Sequence, residues 1–295
     1  MKKRTMPIGF ILLCVVPVVI LMVVFMIIPT VEALTLSFTN STGMSDNFDF
    51  VGLKNYTYLF KDVTFVLALK NTIKLMIIVP IVSVLFALIV AFILTQSKLK
   101  EKGVYRIIYF MPSIISLTVI GVIFAFLLSP TMGPINNFLK AIGLGELALP
   151  WLGDERTALW CIAMTLIWQS AGYYMVMHIA GIDGISPDIM EAATIDGASQ
   201  FRKMVSIIFP LLKDIVGITY VLALSGTLAR SFILSKVMTG GGPSGSSTVL
   251  LQYMYQQAFV NSNFGYAMAI AVFSLIISVA ISIISRRITN KEEKA

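Results

Sequence analysis

The apolar residues of this chain fall into long unbroken runs, without the three-and-four spacing of a helix that has one wet face. Six stretches, about 7–30, 75–96, 107–129, 158–180, 214–235 and 264–285, contain almost no charged side chain. About 20 such residues in a helix cross roughly 30 Å of hydrocarbon. Each stretch is therefore expected to span a membrane, giving an all-α polytopic protein with one transmembrane domain over residues 1–295. Pro17, Pro80 and Pro112 lie within or beside the runs, as helix bundles in membranes tolerate. Lys2, Lys3 and Arg4 precede the first run in the manner of a secretion signal. The run from Thr5 to Val31 is too long for one and lacks a small-residue cleavage site, so a retained helix is expected.

Between the runs the pattern turns polar. Residues 31–70 carry Asn, Asp, Gly and Thr and read as an ordered segment, and Gln96–Arg106 is a short basic loop. Turns are marked at Gly133-Pro134, Gly143, Gly145 and Pro150, and residues 236–263 open on Thr239-Gly-Gly-Gly-Pro243. No internal repeat is evident, which weighs against a repeat-built secondary transporter.

Composition agrees with this picture: 57% of the 295 residues are hydrophobic and 13% charged, against about 25% charged in soluble domains. The distribution of Lys and Arg sets the orientation. With both termini in the cytoplasm, 14 of the 22 basic residues and 8 of the 15 acidic ones fall inside. The net charge of +7 is thus an orientation signal, and no nucleic-acid partner is needed to explain it. Cys14 and Cys161 sit in apolar runs and read as small packing residues. One histidine in the whole chain leaves no material for a zinc site or a Ser-His-Asp set, so neither catalytic nor metal-ligating residues are assigned. The glycine run at 240–245 lacks the Gly-Lys-Ser/Thr ending and preceding strand of a phosphate loop.

The loop 181–213 is the most informative connector. Ser186-Pro187-Asp188 is a helix start, with proline at the first helical position and an acid near the positive dipole end. That helix can run through Glu191-Ala192-Ala193-Thr194-Ile195-Asp196 to a left-handed cap at Gly197. Ser199 can cap a second helix carrying Phe201, Met204, Val205 and Ile208, up to Pro210. The spacing alone also fits a connector lying apolar side down on the bilayer.

In the spans, the ionisable side chains are His178 and Arg230, which by default are functional suspects. His178 is expected to be a satisfied packing residue; Arg230 can snorkel toward the bilayer surface, and it is also a candidate for the substrate path. Thr165, Gln169, Tyr173 and Met177 form one stripe of the fourth run, flanked by Trp168 and Tyr174. Aromatic rings with amide and hydroxyl groups suit a sugar, and the same stripe also suits helix packing. No intramembrane charge pair suggests an ion-coupled carrier, the alternative class considered.

Glu191-Ala192-Ala193-x-x-Asp196-Gly197-Ala198, with Ile207 and Pro210 downstream, resembles the EAA signature of binding-protein-dependent ABC importer permeases. Trp168, Gly172, Met175, Ala180-Gly181 and Pro187 resemble the maltose-transporter-type branch. So do Thr239–Pro243 with Thr248, Tyr253, Tyr255, Ala258-Phe259 and Gly265-Tyr266-Ala267, and Val51–Tyr56 with Asn71-Thr72 near the start. The similarity covers nearly the whole chain in order. Phe209, Asp214, Met204 and Ile233 depart from the pattern, where leucine, proline, phenylalanine and aspartate are common.

The resemblance implies the ABC importer permease fold and an ATP-driven importer for a carbohydrate or polyol in the plasma or inner membrane. It makes 187–210 the coupling helix region, with Glu191, Ala193 and Gly197 at the contact with an ATPase. The implied partners are a second permease, two ATP-binding subunits and an external solute-binding protein. The tail Arg286-Arg287-Ile-Thr-Asn lacks the glycine-rich end of one permease type, which favours a heterodimer. No cofactor is expected on this chain, with ATP and Mg held by the partner subunits.

Overall fold

The computed structural model describes residues 8–45, 47–97 and 100–291. Lys2, Lys3, Arg4, Lys98 and Lys294, used above for orientation, lie outside them. Among the described residues the chain is helical, with a single antiparallel bridge between Thr39 and Phe50. It divides into two compact units: residues up to Asp62 with Met254–Leu275, and Val63–Tyr253 with the residues from Ile276 on.

In the first unit, α1 (Ile8–Met22) runs through a π-helical turn at Val23–Ile27 into α2 (Ile28–Leu36). Its 25 residues from Leu12 to Leu36 are long enough to span a membrane, and none of the apolar core of that stretch is buried by the chain itself. Cys14 is exposed here, so its expected packing role is not met within the chain. An apolar rod of this kind is stable in hydrocarbon, not in water. The polar segment that follows is ordered, as its composition suggested. In the short helix α3 (Lys54–Leu59), Asn55 Nδ2 donates to the Ser37 and Thr39 carbonyls at 2.9 Å each. Tyr266 donates its hydroxyl proton to Asp62 at 2.7 Å. Gly265 is required where it stands, because a Cβ there would lie 2.1 Å from the Thr39 carbonyl oxygen.

The second unit is built on α4 (Val63–Gln96), which begins well before the predicted 75. The extra turns carry Asn71 and Thr72, both buried and spent on holding a loop described below. The third expected span is not one helix: α5 (Lys102–Ile114) and α6 (Leu117–Leu127) meet at 98°. Pro112 removes a ladder donor in the last turn of α5, and Ile115 then turns extended at ψ 140°. After α7 (Pro134–Ala141), a polar knot forms in which Trp151 Nε1 donates to Asn136 Oδ1 at 2.7 Å and Asn136 donates to the Leu149 carbonyl.

The fourth predicted span appears as α8 (Ala158–Asp183), 26 residues long. It is not among the four single helices long and apolar enough throughout to cross a membrane, namely Leu12–Leu36, Val63–Gln96, Lys213–Thr239 and Phe264–Ile283, because Gln169, Ser170, Tyr173, Tyr174 and His178 interrupt it. The reason is its position: α8 packs on α4, α5 and the later α12, and 16 of its residues are buried by protein. A helix solvated by other helices has no need of lipid-grade hydropathy. Cys161 lies in this interior. Three short helices follow, α9 (Pro187–Ile195), α10 (Gln200–Lys203) and α11 (Phe209–Leu211), with a π-helical turn at Met204–Ile208. Then come α12 (Lys213–Leu234), continued by a π turn to Thr239, α13 (Leu250–Phe259) and α14 (Phe264–Lys291).

His178 is fully buried and its Nε2 lies 3.0 Å from Thr219 Oγ1, so it ties α8 to α12 as a packing residue. Gly172 permits the closest approach of α5, since a Cβ there would stand 1.9 Å from the Tyr109 carbonyl oxygen. Backbone cannot give way as a flexible side chain can. Gly172→Ala should therefore destabilise the unit by about 1–3 kcal/mol, the usual cost of overpacking. A lowered midpoint of thermal unfolding in detergent is the expected result, and an unchanged midpoint would contradict this packing.

Candidate functional site

Two places in the larger unit gather the residues singled out above. The first is the knob formed by α9 to α11. Pro187 takes the first helical position and Asp188 the first turn, while Ser186 occupies the cap position without a side-chain bond. Gly197 ends α9 at φ +71°, as the sequence predicted, with the Ala198 amide donating to the Ala193 carbonyl at 3.0 Å. Ser199 does cap the next turn, accepting from the Arg202 amide at 3.3 Å. The second helix is shorter and less regular than expected, because the chain widens into the π turn before Pro210.

Inside the knob, Lys203 is buried and its Nζ donates to Thr194 Oγ1 at 2.8 Å, linking α10 to α9. Lys203 escaped the sequence reading; nothing in its spacing marks it as buried. Ile208 and Leu212 are fully buried in a core shared with Val84, Leu88, Tyr174 and Ile179, and Met190 and Met204 pack against it. The knob is thus seated on α4 and α8. Its outer face carries Glu191, Ala192, Asp196 and Gly197, with Pro210 also exposed and Ala198 half-buried. Ile195 is 86% exposed and Phe201 75%, large apolar groups that water does not favour. Ala193 is a correction: it is buried against its own chain, on the inner side of α9.

The second place is the middle of α8. Its open face winds round the helix, from Trp160, Met164 and Trp168 at four-residue spacing to Val176 and Tyr173, about 80° and 140° round from Trp168, all between 42% and 48% exposed. The expected stripe is therefore displaced. Thr165 is fully buried and donates to the Cys161 carbonyl at 2.8 Å, serving its own helix. Tyr174 is buried too, its ring edge-on to Tyr173 with centroids 5.6 Å apart. Gln169 lies at the margin, 8% exposed, and Met177 is half-buried. Trp168 leans on Phe124 of α6 at 5.3 Å between ring centroids.

Ser113, not singled out in the sequence, is part of this site. Its hydroxyl donates to the Gln169 carbonyl at 2.8 Å and accepts from the Tyr173 amide at 3.2 Å. Those are the two ends of one i→i−4 backbone bond, so a side chain from α5 enters the α8 ladder where the candidate residues lie.

Arg230 does not snorkel. Its guanidinium does not extend toward the Thr239 end of the span but turns back along α12. Nε donates to the Gly226 carbonyl at 3.1 Å, one terminal nitrogen to Tyr174 Oη at 3.0 Å, and the other reaches Gln169 Oε1 at 3.5 Å. Two partners on α8 outbid the bilayer surface for this group.

The glycine loop at 240–248 is pinned to the second unit. Asn71 Nδ2 donates to the Ser246 and Thr248 carbonyls at 2.8 and 3.0 Å, and the Leu250 amide donates to Thr72 Oγ1 at 2.9 Å. Ser235 and Gln252 close the far side with a hydrogen bond between their side chains. Gly241, at φ +94°, leaves room for Thr248 Oγ1, which a Cβ would crowd at 2.6 Å. The loop folds back onto the helices.

Comparison with known proteins places this geometry. Residues 65–292 match the family model described as binding-protein-dependent transport system inner membrane component. The probable ABC transporter permease protein YurN of Bacillus subtilis is 37% identical over 91% of this chain and 93% of its own length. The diacetylchitobiose uptake system permease protein NgcF of Streptomyces coelicolor is 34% identical, covering 85% and 73%. A crystal structure of a bacterial ABC transporter involved in the import of the acidic polysaccharide alginate shares the fold, with a TM-score of 0.85 at 21% identity over 96% of each chain.

The knob's geometry gives its own test. A Cβ at Gly197 would meet open space, so Gly197→Val should strain the left-handed joint without a clash in this chain. The cost is about 1–3 kcal/mol. Trypsin cleavage at Arg202 should accelerate several-fold in membranes holding normal amounts of the protein, and an unchanged cleavage rate would refute the strained joint.

Proposed function

The chain belongs to the binding-protein-dependent transport system inner membrane components and is a multi-pass permease of an ABC importer; on that premise we propose how its two sites divide the work. The knob of α9 to α11 docks in a cleft of a separate ATP-hydrolysing subunit, where ATP and Mg are held, and this chain binds no cofactor of its own. The observation that carries this is the pairing of Ile195 and Phe201, exposed on the outer face, with Ile208 and Leu212, buried in the core under α4 and α8. An apolar tip outside and a rigid root inside are what a coupling element needs. Glu191 makes no hydrogen bond or ion pair among the described residues, which leaves its carboxylate available to such a partner. Gly197 shapes the joint, and Ala192 and Asp196 flank it.

The solute pathway lies along the open face of α8. Trp168 and Tyr173 offer ring faces to the C–H surfaces of a sugar, and Gln169 and Arg230 offer hydrogen bonds to its hydroxyls. The names of the relatives, an uptake system for diacetylchitobiose and an importer of alginate, support a carbohydrate as the solute. A second, non-identical permease completes the pore, an external binding protein delivers the solute, and both termini lie in the cytoplasm. Closure of two ATP-loaded subunits draws the two knobs together and opens the pore outward, so the solute passes by alternating access.

The pathway is tested by uptake in a strain expressing the complex. Trp168→Ala and Tyr173→Ala should each lower sugar uptake by tenfold or more, whereas Thr165→Val, buried and bonded to its own helix, should leave it within twofold. Equal effects at all three positions would mean that the open face of α8 is a packing surface. The docking is tested by Ile195→Asp with Phe201→Asp, which should abolish solute-stimulated ATP hydrolysis in the purified complex while insertion of the permease stays normal. Undiminished stimulation would return the knob to a connector lying on the bilayer.

A further inference from the structure

We propose that Arg230 is the counter-cation for an anionic group, a carboxylate or phosphate, on the transported solute. The inference deepens the permease reading and rests on the open face of α8 lining the pathway. Arg230 lies inside α12, within the span Lys213–Thr239, and is half-buried. Among the described residues no carboxylate comes within ion-pair distance of it; the ion pair found there is Arg106 with Asp183, at the far end of α8. All three of its hydrogen-bond partners, the Gly226 carbonyl, Tyr174 Oη and Gln169 Oε1, are neutral. Intramembrane cations pair with an opposite charge or with backbone carbonyls and mark substrate pathways; the Gly226 carbonyl takes one donor of this one, and no opposite charge meets it among the described residues.

The surroundings fix the guanidinium instead of neutralising it. Gly226 clears its bed: a Cβ there would stand 2.1 Å from the near terminal nitrogen and 2.9 Å from Cζ. Tyr174 and Gln169 hold it on the buried side, next to Tyr173 on the open face. A planar cation held this way matches the two oxygens of a carboxylate or phosphate. A neutral sugar would use the same donors singly and leave the charge uncompensated.

The test is equilibrium binding to the complete complex, trapped with ATP and vanadate. The probes are digalacturonate against galactobiose, and glycerol 3-phosphate against glycerol. At least one acid should bind ten or more times tighter than its neutral counterpart; digalacturonate would assign a carboxylate and glycerol 3-phosphate a phosphate. Arg230→Gln should erase the preference and Arg230→Lys retain part of it. Gly226→Ala keeps the charge but moves the guanidinium, and should weaken acid binding several-fold with little change for the neutral probe. Equal binding of acid and neutral probe, binding of neither acid, or a preference that survives Arg230→Gln would overturn the proposal. So would failure of Arg230→Gln to assemble, which would assign the counter-charge to the second permease. If Trp168→Ala and Tyr173→Ala abolish uptake while Arg230→Gln does not, the pathway stands and the anion alone is lost.

Discussion

The larger unit depends on the polar side chains that α8 buries inside a membrane protein. Lipid offers no hydrogen bonds, so each polar group in the bilayer must find its partner in protein. α8 brings Gln169, Ser170, Tyr174 and His178 inward, where α4, α5 and α12 surround them. His178 meets Thr219, Tyr174 meets Arg230, and the Gln169 carbonyl meets Ser113. α5 and α12 are thereby fixed in register against α8. The cost of a lone arginine in the bilayer, about 2.5–3.5 kcal/mol even on lenient scales, is offset only because that network exists.

The same helix joins the two sites. Its last turns, with Ile179 and Ile182, lie in one apolar core with Ile208 and Leu212 from the end of the knob. Well-packed cores transmit displacement because they do not compress. A push on Ile195 or Phe201 is therefore delivered to the lower part of α8. Ser113 enters the α8 ladder one turn before that core begins, between Gln169 and Tyr173. There the helix shares its backbone hydrogen bonding with α5, and Tyr173 of the open aromatic face lies at the same place.

Much of this was legible in the sequence, and the failures share a cause. The runs of apolar residues located the helices, and Gly197 with Ser199 marked the joint of the knob through local backbone chemistry. What could not be read was which way a side chain faces when both sides of a helix are apolar or mildly polar. Thr165 and Ala193 turned inward, and Arg230 turned back, because neighbouring helices claimed them; periodicity carries no record of neighbours. Pro112 was visible, but membrane helices often carry proline without breaking, so the 98° bend after α5 needed the contact of Ser113 with α8 to explain it. Gly226 looked like an ordinary small residue, and the resemblance that marked Gly172 gave no reason for it; the atoms at their missing Cβ positions supply one.

The central claim is that the knob and the lower half of α8 move as one body. It is tested most directly by the distance between spin labels at Ile195 on the knob and Val176 on the open face of α8. Both positions are exposed, and the labels would be introduced after Cys14→Ser and Cys161→Ala remove the native thiols. In the complete complex, pulsed electron paramagnetic resonance should give the same distance peak with and without ATP and vanadate. A peak that moves when the nucleotide is added would mean that the knob swings independently of α8, and the coupling described here would be contradicted.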